Sequence, residues 1–281
     1  MSGAPQRCIA CGDTPVPLFE RGAFAVVRSP GCGLEWQNPF PSQARLHELY
    51  AGDYFARWGG RDAATYERVR VIKHASHGAF LREIVRLRRG GRLLDVGCAT
   101  GFLLEVAQQA GFEPFGLDPN PDAVRIAKQR FGERVQQGEL DAAVFPGIRF
   151  DVVTLIDVLE HVPDPAALLE IVYERLAPGG VLAAVLPNVA SLTRRLLGPR
   201  WPHYAPEHLF FWTPAALERQ LAAAGFVVRK IRTGIRKTFT GEYLSAYAAC
   251  TGAWLPPGIG WFGRRRLRVP TGEMLALAGR E

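Results

Sequence analysis

A chain of 281 residues, 48% of them apolar, can bury one sizeable core with appendages, so a single main domain with additions is expected. Its net charge of +7 comes mostly from arginines scattered along the sequence, apart from Arg264-Arg265-Arg266, which favours a solvated surface over a nucleic-acid footprint. Residues 1–17 lack the basic patch and apolar run of a secretory leader, and no apolar stretch reaches the roughly 18–20 residues needed to span a bilayer. Five cysteines, an odd number, suit a reducing cytoplasm better than a disulfide framework, so a cytoplasmic location is expected.

In chain order, residues 1–40 are rich in Gly, Pro and Cys and contain short β-like pieces such as Phe24-Ala25-Val26-Val27, the pattern of a small knuckle. Cys8-Ile9-Ala10-Cys11-Gly12 and Ser29-Pro30-Gly31-Cys32-Gly33 look like the two turns of a zinc ribbon. Serine at position 29 leaves the three thiols of Cys8, Cys11 and Cys32, one short of a closed site, so a degenerate knuckle held by packing is expected, with zinc as the alternative. Residues 41–90 turn helical: Leu46, Leu49 and Tyr50 share one stripe, and Phe80, Ile84, Val85 and Leu87 another, the pattern of a helical cap.

From Gly91 onward, short apolar strands alternate with amphipathic helices, which predicts an α/β fold with a doubly wound parallel sheet. The strands are read at Arg92–Val96, Glu113–Leu117, Arg134–Gln137, Phe150–Ile156, Val181–Leu186, Phe226–Ile231 and Glu273–Ala278. Helices are read at Phe102–Ala110, Pro121–Phe131 and Pro165–Leu176, the last followed by a Pro178-Gly179-Gly180 turn; another starts at Thr213-Pro214 and stops at Gly225. The main domain is thus residues 91–281, with a loop at 189–212 and an insert at 233–270. The aromatics Trp254, Trp261 and Phe262 of that insert are expected to complete the core; a lid or a peripheral membrane contact is the alternative.

The run Leu93-Leu94-Asp95-Val96-Gly97-Cys98-Ala99-Thr100-Gly101-Phe102 reads as a buried strand that bends through glycines into a helix. Glycine lets the backbone approach a ligand, and the free N–H groups of the helix start favour an anion such as a carboxylate. A dinucleotide fingerprint needs glycine where Ala99 and Phe102 stand, and a P-loop needs a lysine that is absent. Asp118 ends the next strand, where an acid can accept hydrogen bonds from ribose hydroxyls.

On these residues the chain resembles the class I S-adenosylmethionine-dependent methyltransferases, from about Gly91 to Ile231 together with the last strand. The resemblance implies a Rossmann-like seven-stranded sheet that binds S-adenosyl-L-methionine. It places Asp95, Gly97, Cys98 and Gly101 in the glycine loop, Asp118 on the ribose, Glu139 and Leu140 beside the adenine, and Asp157 near the cofactor. The segment Asp157-Val158-Leu159-Glu160-His161 resembles that of quinone-type O-methyltransferases, some of which hold a divalent metal; transferred here, the ligands would be Asp157, Glu160 and His161. The knuckle, Gly33-Leu34 and Asn38-Pro39-Phe40 are similar to sugar and natural-product methyltransferases.

The loop containing Trp201-Pro202-His203-Tyr204-Ala205-Pro206-Glu207-His208 should cross the acceptor side of the cleft, making His203, Tyr204, Glu207 and His208 acceptor or base residues. A histidine can take a hydroxyl proton near neutral pH, so His161, His208 and His203 are the expected bases, with His208 favoured within the loop. The expected function is methyl transfer to a small-molecule or glycan-precursor acceptor. An RNA or protein acceptor, or a non-catalytic partner-binding module, are the alternatives, and nucleic acid is not expected as a partner.

Overall fold

The computed structural model describes residues 4–22, 24–42, 44–45, 63–141, 143–245 and 258–281. Leu46, Leu49, Tyr50 and Trp254, singled out above, lie outside them. Three short strands come first: β1 (Val16–Arg21), β2 (Phe24–Arg28) and β3 (Glu35–Gln37). In the expected cap region the described residues include the helix α1 (Ala63–Val85). Then strands and helices alternate: β4 (Gly91–Val96), α2 (Phe102–Gln109), β5 (Phe112–Asp118), α3 (Pro121–Phe131), β6 (Val135–Gln137), β7 (Phe150–Ile156), α4 (Pro165–Arg175) and β8 (Leu176–Pro187). They are followed by α5 (Leu192–Leu197), β9 (Phe210–Phe211), α6 (Pro214–Ala223), β10 (Val227–Thr233), β11 (Arg236–Thr240), β12 (Arg266–Pro270) and β13 (Glu273–Gly279).

Local chemistry explains the helix starts. Asn120, Asp164 and Thr213 each accept a hydrogen bond from a first-turn N–H, and each precedes a proline at the start of its helix, where a missing N–H costs nothing. The seven-stranded sheet has the order β10, β13, β8, β7, β4, β5, β6. β4 pairs in parallel with both β5 and β7, so the strand order reverses there, and β13 runs antiparallel between β8 and β10. Ligands of open α/β sheets bind beyond the carboxyl ends of strands at such a reversal, which puts the cleft at residues 97–101, 118 and 157.

Alternate residues of the central strands feed two cores, because successive side chains of a strand point to opposite faces. Leu94, Val96, Val153, Leu155 and Leu182 pack with Leu168, Leu169, Leu217 and Leu221 of α4 and α6. Leu93, Val152, Ala183 and Val185 pack on the other face with Phe80, Leu81 and Ile84 of α1. The turn Pro178-Gly179-Gly180 falls inside the span of β8, with Gly179 left-handed at φ 72°, so the strand starts earlier than its apolar run.

The knuckle is part of a four-stranded antiparallel sheet, β1-β2-β3-β9, whose last strand comes from the loop after β8. Glu35 pairs with Phe211 and Trp36 with Phe210 in its register, and Trp36, Phe210, Phe211 and Trp212 are all fully buried. In contrast to the expectation for the insert, Trp261 is 95% exposed and Phe262 47% exposed among the described residues, so these rings do not complete the core. Among the described residues no helix is long and apolar enough to cross a membrane.

Leu94 is fully buried in the central strand. Leu94→Ala is expected to lower unfolding free energy by about 2–5 kcal/mol, read as a drop in the urea midpoint.

Candidate active site

The cofactor side of the cleft is built by backbone. Gly97, Ala99 and Gly101 have φ of 76°, 46° and 84°, so the chain turns out of β4 through three left-handed residues. Ala99 does so with a methyl group, at a cost of about 1–2 kcal/mol. Gly97 and Cys98 both donate their N–H to Leu117 O, at 2.7 and 3.0 Å, and Ala99 N–H donates to Asp118 Oδ2 at 2.8 Å. Asn120 N–H donates to Asp118 Oδ1 at 2.9 Å, which fixes the carboxylate and leaves each oxygen a second lone pair.

Three observations test whether this cradle suits S-adenosylmethionine. A Cβ at Gly97 would lie 2.7 Å from Val158 Cγ2, so that position cannot carry a side chain without displacing its neighbour. Among the described residues Thr100 Oγ1 is buried without a hydrogen-bond partner and Gly101 caps α2 without a side-chain bond, which suits a hydroxyl and first-turn N–H groups to a carboxylate. Asp95 is buried and accepts from Thr154 Oγ1 at 2.6 Å; burial pushes its carboxyl up to about 7, and the Asp118 charge adds to the rise. Burial raises Asp118 as well, against the bonds from Asn120 and Ala99. Two acids that disfavour each other's charge form a cradle suited to a ligand with net positive charge, and the residues fit the cofactor.

The remaining positions of the cofactor set fall into place differently. Cys98 turns its buried side chain into a cluster with Leu104, Val124 and Phe131, so only its backbone serves the loop. Leu140 is buried just beyond β6 and Glu139 is exposed. Asp157, at the end of β7, has φ 56° and faces Lys237.

Lys237 of β11 was not legible as a site residue. Its Nζ donates to Asp157 at 2.8 and 3.0 Å and to Glu273 Oε1 at 2.6 Å, while Thr271 Oγ1 donates to Glu273 Oε2 at 2.6 Å. Burial alone would raise Asp157, but the ammonium groups of Lys237 and Lys73 hold it well below the usual carboxylate range. Lys73 and His77 of α1 are close enough to feel Lys237 and Asp157, and burial lowers both. The available signals were an acid opening an apolar strand, Glu273, and a lysine in an arginine-rich chain.

The expected metal trio Asp157, Glu160 and His161 does not converge, because Asp157 is held by Lys237. Instead Glu160, His161 and His208 bring their ligand atoms within 4.8 Å of one another. Glu160 is 1% exposed, and neither carboxylate oxygen has a hydrogen-bond partner among the described residues. Burial and the nearby Asp157 push its carboxyl well above the ordinary value. His161 Nδ1 lies 3.1 Å from Glu207 O and His208 Nδ1 lies 2.8 Å from His203 O. A carbonyl can only accept, so each Nδ1 carries the hydrogen and each Nε2 the lone pair. The two rings meet edge-on at 4.6 Å. Burial lowers both, His161 to about 4, so both are neutral at pH 7.

The loop around His208 divides its work. His203 Nε2 bonds Thr271 O at 2.9 Å and its ring stacks on His208 at 6.2 Å. Tyr204, expected on the acceptor side, turns to the knuckle instead: its hydroxyl donates to Glu35 Oε2 at 2.5 Å and accepts from Arg194 Nε at 2.9 Å. Glu207 contributes its carbonyl to His161. Leu209 and Phe210 donate N–H to Glu160 O at 2.7 and 3.2 Å, which ties the loop to the segment after β7.

In the knuckle, Cys8, Cys11 and Cys32 bring their sulfurs within 4.8 Å of one another. Cys8 Sγ is 3.4 Å from Cys32 Sγ, and Ser29 Oγ is 3.1 Å from Cys11 Sγ and 3.4 Å from Cys32 Sγ, so the serine hydroxyl occupies the fourth corner. Ser29 Oγ donates in turn to Asp13 Oδ2 at 3.2 Å. Burial pushes the Cys8 thiol up to about 12. Ser29 is thus the fourth group at the three sulfurs, and its hydroxyl lacks the charge of a fourth thiolate.

The strand order, the left-handed loop and the acid after β5 define a class I S-adenosylmethionine-dependent methyltransferase. The sequence profile of the methyltransferase domain family matches residues 69–231, more than half of the chain, and the chain belongs to that family. The ubiquinone biosynthesis O-methyltransferase of Azorhizobium caulinodans is 29% identical over 230 residues, covering 78% of this chain and 86% of the relative. That of Psychrobacter arcticus is 32% identical over 158 residues, covering 50% and 61%. Among solved structures, magnesium protoporphyrin IX methyltransferase from Synechocystis with bound S-adenosylhomocysteine has a TM-score of 0.54 at 16% identity, covering 85% of this chain and 100% of that one. A SAM-dependent methyltransferase from Archaeoglobus fulgidus has a TM-score of 0.51 at 20% identity, covering 74% and 94%. These two likenesses concern the fold.

Asp118→Asn removes the charge expected to accept the ribose hydroxyls and weakens one of the acceptors that hold the loop. By the value of a hydrogen bond to a charged group, about 1.5–3 kcal/mol, S-adenosylhomocysteine should bind about 10- to 150-fold more weakly in calorimetry. Lys237→Met leaves Asp157 and Glu273 without their main cation and should destabilise the protein by about 3 kcal/mol at pH 7.5. The sign follows from the two states. With Lys237 in place the folded carboxyl of Asp157 lies below its unfolded value, so its stabilisation is present above that value and lost in acid. Without Lys237, burial raises the folded value and ionisation costs stability, a cost that fades as pH falls. The deficit measured by urea unfolding should therefore shrink between pH 7.5 and pH 5; an equal deficit at both would contradict this assignment.

Proposed function

We propose that this methyltransferase transfers the methyl group to a hydroxyl of a small-molecule acceptor, and that the paired imidazoles of His161 and His208 take the proton. The observation that carries the reading is this pair: two neutral rings, each oriented by a backbone carbonyl, beside the carboxyl of Glu160 at the end of β7. The names of the relatives, O-methyltransferases of ubiquinone biosynthesis, support an oxygen acceptor and a small molecule.

When bound, S-adenosylmethionine supplies a methyl group already activated by a sulfonium. The chain's residues have the remaining work of alignment, exclusion of water and proton removal. Alignment in a fixed site is worth about 7–11 kcal/mol. The Nε2 lone pair of His161 or His208 accepts the hydroxyl proton, and the ionised carboxylate of Asp157 favours the imidazolium that forms. His203 stacks on His208 and Thr271 O fixes the His203 ring, so His203 is read as a positioning residue.

A second reading is favoured by Glu160, whose two buried oxygens have no donor among the described residues. Glu160, His161 and His208 would then hold a divalent cation, which lowers the pKa of a coordinated hydroxyl. Carboxylate and imidazole together suit such an ion, and carbonyls on the far ring nitrogens are the usual support for ligating histidines.

With tritiated methyl donor and a panel of phenols and catechols, His208→Gln and His161→Gln are expected to lower kcat/KM by about 10²–10⁴ while S-adenosylhomocysteine affinity stays within about threefold. Activity that survives EDTA supports proton transfer by the imidazoles; activity lost to EDTA and restored by magnesium or manganese supports the cation. Full turnover in both histidine variants rejects both readings.

A further inference from the structure

A cavity of about 330 Å³ lies between the knuckle and the segment after β8, and its lining includes none of the residues assigned above to the cofactor or to the imidazole pair. Its volume is at the lower end of the roughly 300–1,000 Å³ usual for ligand pockets. Three guanidinium groups line it, those of Arg28, Arg194 and Arg195, together with the single acid Glu35.

Glu35 is 2% exposed and its carboxylate is fully engaged: Oε1 accepts from Arg194 Nη2 at 3.0 Å and Oε2 from the Tyr204 hydroxyl at 2.5 Å. Arg194 is therefore neutralised within the wall. Among the described residues Arg28 and Arg195 form no ion pair, and both side chains are exposed at the cavity. With three cations and one anion the lining carries an excess of two positive charges, which matches the charge of about −1.5 to −2 on a phosphate monoester at neutral pH. Guanidinium forks bind phosphate through paired N–H bonds.

The surrounding residues are arranged around Arg28. Gly33 is left-handed at φ 72°, and a Cβ there would lie 3.4 Å from Arg28 Nη2 and 3.3 Å from Thr213 Cγ2, so any side chain would press on the arginine. Thr213 Oγ1 already donates to Cys32 O at 2.8 Å and accepts from Ala216 N–H at 3.1 Å, so the arginines are the donors that face the space. Val189 and Ala190 supply an apolar wall for the carbon part of a ligand.

We propose that this cavity is a second binding site, selective for a phosphate monoester dianion held by Arg28 and Arg195 and formed jointly by the knuckle and the segment 189–195. Glu35 and Arg194 form the fixed partition that keeps those two guanidiniums apart from the Tyr204 side. The monoester belongs to a soluble phosphorylated molecule or to the headgroup of a lipid; the recognition chemistry is shared.

The test uses the full chain, with inorganic phosphate and glycerol 3-phosphate as probes at constant ionic strength set by chloride. A saturable rise in Tm and a matching calorimetric isotherm are expected. Arg28→Gln and Arg195→Gln should each weaken phosphate binding at least tenfold, Arg195→Lys should fall between, and Arg125→Gln on α3 should leave it unchanged. Arg195 is exposed and without an ion pair among the described residues, so Arg195→Gln should keep the Tm of the parent without phosphate; the Arg28 charge also favours the buried Glu35 carboxylate, so the binding of Arg28→Gln is read against its own phosphate-free Tm. Cosedimentation with phosphatidic acid vesicles, against phosphatidylcholine alone, separates the sources: vesicle binding abolished by the same substitutions identifies a lipid headgroup, and phosphate binding without it identifies a soluble ligand. Unchanged phosphate affinity in both glutamine variants, or a Tm rise that chloride reproduces, overturns the site.

Discussion

The site depends on a backbone bend that side chains do little to make. Three of five residues between 97 and 101 take left-handed conformations, and the bend is stitched to the end of β5 by two N–H groups on Leu117 O and a third on Asp118. That stitching sets where α2 begins, where its N–H groups point and how the Asp118 carboxylate is turned. The bend can exist there because the sheet order reverses at β4, which leaves the carboxyl end of that strand uncovered between two diverging crossovers. Ala99 is instructive: its methyl group is tolerated because the left-handed strain costs little against the three hydrogen bonds that define the turn.

The acids around the cleft fall into three environments, and each environment is matched to a role. Asp95 and Asp118 are buried among hydroxyl and amide donors, and among the described residues neither forms an ion pair, so their electronegative cradle suits a cationic ligand. Asp157 and Glu273 share Lys237, and that closed group joins the end of β7, the hairpin strand β11 and the start of β13. Among the described residues Glu160 has neither kind of partner, and its raised carboxyl lies within 4.8 Å of two imidazoles. Titratable groups pushed apart by their surroundings are where acid and base roles are found.

Much of this was legible in the sequence because it is written locally. Strand and helix bounds follow from apolar runs, from the caps Asn120, Asp164 and Thr213, and from glycines at the turns, and the glycine bend with Asp118 is a spacing within one βαβ unit. What stayed hidden are contacts between distant segments. Lys237 meets Asp157 across 80 residues and Tyr204 meets Glu35 across 169, and neither periodicity nor composition records such pairings. The same blindness exchanged Asp157 for His208 in the group around Glu160: the motif spacing puts Asp157 one helical turn from its neighbours, but the left-handed backbone at Asp157 aims its side chain elsewhere. Trp261 misled for a different reason, since a large aromatic is a sound prior for burial and says nothing about where an insert projects.

The knuckle gains a purpose from its place in the fold. Its last partner strand, Phe210–Phe211, begins two residues after His208, and the N–H groups of Leu209 and Phe210 bond Glu160 O, so the sheet that ends the knuckle also ties down the segments that carry His161 and His208. A joint of this kind must be rigid, and a metal is one way to make it so. Aromatic burial is another: at about 25 cal/mol per Å² and 150–250 Å² per ring, each of the buried rings of Trp36, Phe210, Phe211 and Trp212 is worth about 4–6 kcal/mol as an upper estimate, and three of them reach the about 10–16 kcal/mol that a zinc ion supplies to a small domain. A ribbon that stands alone needs its fourth thiolate. One that borrows a strand and its aromatics from the catalytic domain has a second constraint on its position in the shared sheet, and a serine in that corner is compatible with it.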